Sequence, residues 1–415
     1  MIGSPTIWCV GNVAGKRVLV RVDYNVPLTE DGKVANNQRI AATLPTLDYL
    51  LKGNVKCIVL LSHLGRPDGV RVEKLSLKPV AAELERLLKR PITFLDDCVG
   101  SSVERVCAEA DGGKIILLEN LRFHLEEEGT VKRKDGTHTA DESEIKQFRA
   151  SLTKLGDICV NDAFGVVHRA HSSVTGIELP RVAGLLLSKE LEYFSKVLES
   201  PDGIDLAIVG GAKVTDKIPL IKNLLPKVKQ LAVGGAMAFT FLKTLHGMDI
   251  GKSLYDEEGA ALVPAIMKDA DRLGVKMILP VDFVTGTDLR ESARVGSATM
   301  KDGIPADMMG LDNGPLSTQS LVEAIGTAKS ILWNGPVGVF EVSHFAAGTK
   351  AVLQALAEAT KRGAVTIVGG GDSGAAAAKW DFEDKLSHVS TGGGASLELL
   401  EGRELPGISA LSNKD

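Results

Sequence analysis

The chain is poor in aromatic residues: Trp, Tyr and Phe together make up 4% of its 415 positions. That scarcity argues against a paratope-like surface or a single-strand nucleic-acid platform, both of which depend on stacked rings. Cysteine is scarce as well. Cys9, Cys57, Cys98, Cys107 and Cys159 form an odd set without a CxxC pair, and four of them sit in or beside apolar segments. The pattern reads as reduced, buried thiols rather than a disulfide framework. No run of 18 apolar residues occurs, the N-terminal MIGSPTIWCV has no basic n-region, and the C-terminal SNKD carries no retention signal. The expectation is a soluble cytoplasmic protein with no membrane partner. Neither sign of charge dominates: 48 basic against 53 acidic residues give −5, which excludes a general nucleic-acid binder.

Glycine is what the chain has in quantity. Its 44 glycines exceed the average usage of about 7%, yet proline is only 16, no G-X-Y period appears and 44% of residues are hydrophobic. Collagen and disorder are excluded, and the length predicts two or three domains.

Short apolar runs recur at residues 17–23, 57–62, 114–119, 157–162, 206–211, 230–235, 276–282, 330–335 and 366–371. Runs without polar alternation suit strands buried on both faces. Between them, residues 77–90 and 350–362 have helical spacing with charge on the opposite side. The fold class is therefore α/β with mostly parallel sheets. Nine or more strands exceed one small doubly wound sheet, and composition changes near residue 200: 13 arginines precede it and 5 follow. Arginine presents a planar fork to phosphate and carboxylate, so the first half is the better candidate for an anion pocket. Residues 188–200 are predicted to form a connecting helix, capped by Ser188, with Leu191, Phe194, Val197 and Leu198 on one face. The charged stretch 126–144 reads as a surface insertion.

Four strand-to-glycine turns lie in the second half: VGGAKVTDK (209–217), VGGAMAF (233–239), WNGPVGVF (333–340) and VGGGDSGAAAAK (368–379). A strand ending in glycine and opening into a helix offers free N–H groups and a positive helix end to phosphate. One such turn often serves only tight turning; four in one domain favour a nucleotide site. Gly369, Gly371 and Gly374 match a dinucleotide GxGxxG, but Asp372 inside the turn would repel a pyrophosphate unless a cation lay between them. A bridging Mg²⁺ resolves that conflict better than NAD, although Asp372 could also serve as an N-cap. Gly251, Lys252 and Ser253 are not a Walker A end, because His246 stands where its first glycine belongs. Lys213 and Lys217 would share a face if a helix began at the glycines, an arrangement equally common on solvated helices.

In the first half, successive strand ends carry RVDYNVP (21–27), SHLGRP (62–67), LLENLRF (117–123) and NDAFGVVHRAHSS (161–173). Parallel strands share one carboxyl edge, where ligands bind, so Arg66, Arg122 and Arg169 should converge there with Arg39.

These motifs and their order resemble the phosphoglycerate kinase family. RVDYNVP, SHLGRP, LLEN, NDAFG, HRAHSS, VGGAKV, WNGPVGVFE, GGGDS and STGGGASLE cover nearly the whole chain. The resemblance implies two doubly wound α/β domains facing across a cleft: residues 1–187 for 3-phosphoglycerate, 188–200 as hinge helix, 201–402 for the nucleotide, and a tail, 403–415, returning to the first. It implies substrate contacts from Asp23, Asn25, Arg39, His63, Arg66, Arg122 and Arg169. For Mg·ADP or Mg·ATP it implies Gly211, Ala212, Lys213, Lys217, Gly235, Gly310, Leu311, Asn334, Pro336, Val339, Glu341, Gly370, Gly371, Asp372 and Ser373, with Asp372 on the metal. The catalytic group it implies is Arg39 and Lys213 with the backbone at Gly371 and Gly394. Tyr24, Val166, Val167 and Ser373 depart from the family's usual residues. The expected reaction passes the acyl phosphate of 1,3-bisphosphoglycerate to ADP, without a general base, in a closed cleft of a monomer. Two other classes remain open on sequence alone: a dinucleotide oxidoreductase, which leaves the arginine row unexplained, and a catalytically silent scaffold.

Overall fold

The computed structural model describes residues 12–412; Cys9, the N-terminal segment and the last three residues of the tail lie outside the described residues. The chain divides into two compact units. One is Glu192–Arg403; the other joins the described residues up to Leu191 to those from Glu404 onward. The division falls inside a single helix, Leu185–Leu198.

The first unit is built on six parallel strands in the order Ile92–Phe94, Lys114–Leu117, Cys57–Leu61, Arg17–Arg21, Ile158–Asn161, Arg181–Ala183. Alternate residues face opposite layers, so Val18 and Val20 join one core and Leu19, Cys57, Val59 and Leu61 the other. Helix Lys78–Leu88 buries Val80, Ala81 and Leu84 on the first of these layers. Each fully buried Leu or Val contributes about 1.5–3 kcal/mol, which explains why the runs lack polar alternation. The four described cysteines are buried and free.

The second unit repeats the plan in the order Lys276–Ile278, Val228–Val233, Ile204–Val209, Ser330–Asn334, Val365–Gly369, His388–Val389, again all parallel. Trp333 is fully buried at its centre. Beside it lies an antiparallel sheet of Val295–Thr299, Asp282–Gly286 and Met309–Asn313.

All nine apolar runs lie in strands, and three features differ from expectation. The run 276–282 is divided: Lys276–Ile278 edges the parallel sheet, and Asp282 opens a strand of the antiparallel one. The connecting helix begins at Leu185, and Ser188 is not its cap. Asp162 accepts from the N–H groups of Leu186 and Leu187 at 2.9 and 3.2 Å, so a distant carboxylate does what a local hydroxyl was expected to do. The stretch 126–144 is no plain surface insertion. It forms a hairpin, Thr130–Arg133 with Gly136–Thr139, before helix Glu142–Thr153, and it buries Glu127 completely.

In each sheet the strand order reverses once, next to Arg17–Arg21 in the first unit and between Ile204–Val209 and Ser330–Asn334 in the second. Doubly wound sheets bind ligands at the carboxyl ends beside that reversal.

Candidate active site

At the first reversal, Asp23 and Asn25 follow the Arg17–Arg21 strand. Arg39 Nη1 donates to Asp23 Oδ2 at 2.9 Å and to the Asn25 carbonyl at 3.2 Å. Asn25 Oδ1 accepts from the Gly65 N–H at 2.9 Å, tying the SHLGRP turn to the first. Arg122 Nη1 donates to the Gly65 carbonyl at 2.9 Å. Three strand ends are thus laced together by their own polar groups.

Burial and mutual repulsion show that the cations share one locality. Burial lowers the Arg122 pKa, and Arg66 lowers it further. Burial holds His63 well below its ordinary range, with Arg122, Arg21, Arg39 and His171 adding to the effect. His171 is pushed down to about 3 by burial, Arg122, Arg21 and Arg169. Both imidazoles are neutral at pH 7. Arg21 Nη2 lies 3.4 Å from His63 Nδ1, so that nitrogen accepts and the ring keeps its proton on Nε2. Arg39, His63, Arg66, Arg122 and Arg169 therefore gather at this edge with Asp23 and Asn25.

The sequence reading assigned no role to what lies beneath them. Arg21 is the last strand residue rather than part of the turn, and it is fully buried. Its Nε donates to Ser173 Oγ at 2.8 Å, and that hydroxyl donates to Glu127 Oε1 at 2.6 Å. Arg21 and Glu127 stand 4.0 Å apart, both with almost no exposure. Burial raises the Glu127 pKa while Arg21 and the Ser173 hydrogen bonds oppose it, and burial lowers the Arg21 pKa while Glu127 opposes it; each group offsets the desolvation of the other. The adjacent Glu128 lies 3.4 Å from Arg122 Nε. An acid run in sequence gives no hint of this, because only the fold brings residue 127 to residue 21.

The departures from the family pattern also find places. Tyr24 is buried with its hydroxyl 2.9 Å from Thr43 Oγ1. Val166 and Val167 are buried, and the Val167 carbonyl accepts from the Gly407 N–H at 2.8 Å. The returning chain is further held by Arg181 N donating to Ser412 Oγ at 2.9 Å.

The second unit's site is made of backbone. A cavity of about 480 Å³, within the range of small-molecule sites, is lined by Gly211, Ala212, Gly235, Gly310, Leu311, Pro336, Val339, Glu341 and Asp372. Its wall also includes Phe239, Leu254, Phe283 and Asp312, which no motif singled out. Burial raises Asp312 to about 7, although it accepts from the Gly348 and Asn313 N–H groups. Gly235, at φ +67°, could not carry a side chain: a Cβ would stand 2.8 Å from Gly211 N and O.

Lys213, Lys217, Asn334, Gly370, Gly371, Ser373 and Gly394 are not part of that cavity wall. Lys217 Nζ donates to Asn334 Oδ1 at 2.7 Å, and burial lowers the lysine pKa while Asp372 opposes it. Asn334 Nδ2 is buried without a hydrogen-bond partner, a donor left for an anion. Ser373 Oγ accepts from Gly335 N at 2.6 Å, which leaves its own proton to donate. Helix Gly371–Lys379 begins beside helix Gly393–Leu400: a Cβ at Gly393 would meet the Gly371 nitrogen at 2.8 Å. Two sets of unpaired first-turn N–H groups therefore open together. Lys213 is exposed and precedes any helix, since Thr215–Lys217 is a 3₁₀ turn and the α-helix starts at Ile218. The shared-face argument for the two lysines does not hold.

Asp372 fits a metal-binding role. It lies in the first turn of its helix but is not the cap, a position held by Gly370, so its exposed carboxylate is not committed to the helix end. One exposed carboxylate beside the unpaired N–H groups of a helix start is a donor set that Mg²⁺ accepts.

A family model described as Phosphoglycerate kinase matches residues 10–403. The chain is 58% identical over 403 residues to a phosphoglycerate kinase of Schizosaccharomyces pombe, with 97% of both chains covered. It is 57% identical over 405 residues to phosphoglycerate kinase 1 of Homo sapiens, again over 97% of each. It is also similar to the solved structure of phosphoglycerate kinase from Coxiella burnetii, at TM-score 0.81 and 37% identity, over 96% of this chain and 97% of that one.

Proposed function

The chain belongs to the phosphoglycerate kinase family, and from that premise we propose how its residues divide the work. The enzyme is a phosphotransferase that reversibly passes the acyl phosphate of 1,3-bisphosphoglycerate to ADP, giving 3-phosphoglycerate and ATP. One observation supports the division of labour: positive groups gather at the sheet reversal of each unit, arginines in one and helix-start N–H groups in the other.

Asp23, Asn25, Arg39, His63, Arg66, Arg122 and Arg169 hold the phosphoglycerate. Arg39 and Arg122 offer forks to its carboxylate and phosphate, and neutral His63 donates from Nε2. The cavity of Gly211, Ala212, Gly235, Gly310, Leu311, Pro336, Val339 and Glu341 takes the nucleoside. Lys217, Asn334, Gly370, Gly371, Ser373 and the turn at Gly394 take its phosphates. Asp372 would hold Mg²⁺, which neutralises charge on the phosphate oxygens when bound.

In the direction of ATP use the nucleophile is a carboxylate with a pKa of about 4 or below, ionised at pH 7 without help. No general base is required, and catalysis is alignment and charge stabilisation by Arg39, Lys213 and the N–H groups of Gly371 and Gly394. Because the two half-sites belong to different units, turnover includes a step that brings their ligands together, with the Leu185–Leu198 helix as the hinge. The enzyme works as a cytoplasmic monomer; no described helix is long and apolar enough to cross a membrane.

The test is a coupled assay of ATP formation from 1,3-bisphosphoglycerate and ADP with Arg39→Ala. Turnover should collapse while ADP binding persists, and near-normal turnover would remove Arg39 from the transfer step. A rate-limiting base titrating near pH 6.5 that vanishes in His63→Gln would contradict the base-free mechanism.

A further inference from the structure

On the first unit, three donors of different chemistry meet that neither half-site uses. Asp97 and Cys98 follow strand Ile92–Phe94, and His124 follows the 3₁₀ turn Leu121–Phe123 beyond the neighbouring strand Lys114–Leu117. One carboxylate oxygen, one sulfur and one ring nitrogen lie within 4.8 Å of one another. We propose that Asp97, Cys98 and His124 form a site for a thiophilic divalent cation of the zinc class, distinct from the Mg²⁺ that accompanies the nucleotide.

The donor set decides the class. A thiolate, an imidazole and a carboxylate suit Zn²⁺ and its analogues Co²⁺ and Cd²⁺, whereas Mg²⁺ and Ca²⁺ take oxygen alone. Three protein ligands leave a fourth tetrahedral position to water. The ligands are held in place without the ion: His124 Nε2 lies 2.7 Å from Asp97 Oδ1, which also accepts from the Cys98 N–H at 2.7 Å. The imidazole backs onto Phe148, with ring centroids 5.3 Å apart. The sulfur is buried and forms the floor, while the Asp97 and His124 side chains keep 49% and 27% exposure, which leaves a path from solvent. The surroundings are acidic: burial raises the Cys98 thiol pKa, and Asp97, Glu127 and Glu119 nearby raise it further, a negative environment that favours a cation. Binding exchanges the thiol proton for the metal, a sulfur–metal bond forming as the S–H bond breaks and the proton leaves to solvent. The His124–Asp97 hydrogen bond opens as both side chains turn to the ion, with the imidazole proton on Nδ1.

The kinase reading is not needed for this site, and it can be tested without activity. Metal-free, nucleotide-free enzyme is titrated with Co²⁺ and its absorption recorded. The expected result is a thiolate-to-cobalt charge-transfer band with tetrahedral visible bands, saturating at about one equivalent, erased by Zn²⁺ and indifferent to Mg²⁺. His124→Gln, at a partly exposed position that tolerates the change, should weaken binding at least about 10-fold. Cys98→Ser should abolish the charge-transfer band, and Cys107→Ser should leave it intact. No band at millimolar Co²⁺, a band that survives Cys98→Ser, or wild-type affinity in His124→Gln would each overturn the proposal.

Discussion

The first unit gathers charge with side chains, and the second with peptide groups. Around Arg39 and Arg122 burial, reinforced by the crowded cations, holds two histidines neutral, and the cations rest on a buried pair, Arg21 and Glu127, bridged by Ser173. Around Gly371 the positive potential comes from helix starts, with Lys217 and Asn334 as its buried side-chain contribution. Side-chain charge is strong but must be neutralised beneath, which ties the site to the stability of its unit. Backbone charge needs no counter-ion, and its cost is that glycine must stand where chains approach closely.

The largest effect should come from breaking the buried pair. Glu127→Ala leaves Arg21 charged and unpaired, and should cost about 3–5 kcal/mol of stability. Urea denaturation measures it, with Asp372→Ala as the exposed counterpart expected within about 0.5 kcal/mol of wild type. Equal losses in the two variants would erase the contrast between units.

Lys217→Ala comes next. It should lower turnover by about 10²–10³, with little change in the unfolding midpoint. A fall of less than about tenfold would mean that Lys213 and the backbone of the second unit stabilise the phosphates without Lys217.

Glycine replacement tests the backbone side directly. Gly235→Ala should cost about 1–3 kcal/mol through its positive φ and its collision with Gly211, and it should weaken ADP in a fluorescence titration. Gly247 has nearly the same φ, +65°, with nothing within 4 Å of an added Cβ. Gly247→Ala should therefore cost about 1 kcal/mol and leave ADP binding unchanged.

Within any one pH unit the last contrast is small, a difference in slope. His171 falls from 6.5 to about 3 in the fold, so the unfolded chain binds the extra proton and stability is lost as pH drops below 6.5. Asp312 rises from 3.8 to about 7, so the folded chain holds the extra proton and stability is lost as pH climbs from 3.8 to 7. Denaturation across pH 4–7 should show His171→Gln flattening the acid-side loss and Asp312→Asn the opposite one, each by at most about 1.4 kcal/mol per pH unit. Slopes of the same sign would show that one of the two is not perturbed as its burial implies.

Much of both edges is legible in the chain. RVDYNVP, SHLGRP, LLENLRF and NDAFG each follow an apolar run, and parallel strands necessarily bring such ends to one edge. The glycine turns are legible for the same reason. What escapes is whatever depends on a partner distant in sequence. Glu127 looks like one acid in a solvated run until Arg21 and Ser173 surround it. Ser188 looks like a cap until Asp162 supplies one from the neighbouring strand end. The apolar wall of Phe239, Leu254 and Phe283 escapes because a hydrophobic residue reads the same in a core and in a cavity.

By itself the sequence determined the α/β class, the strands and the family, because periodicity and ordered motifs are local properties of the chain. Only the tertiary structure decided which charges are buried and paired, which carboxylates are raised or spent as caps, and which three donors meet at Asp97, Cys98 and His124. Those outcomes depend on desolvation and on distances of a few ångströms between residues far apart in the chain, which no local pattern encodes.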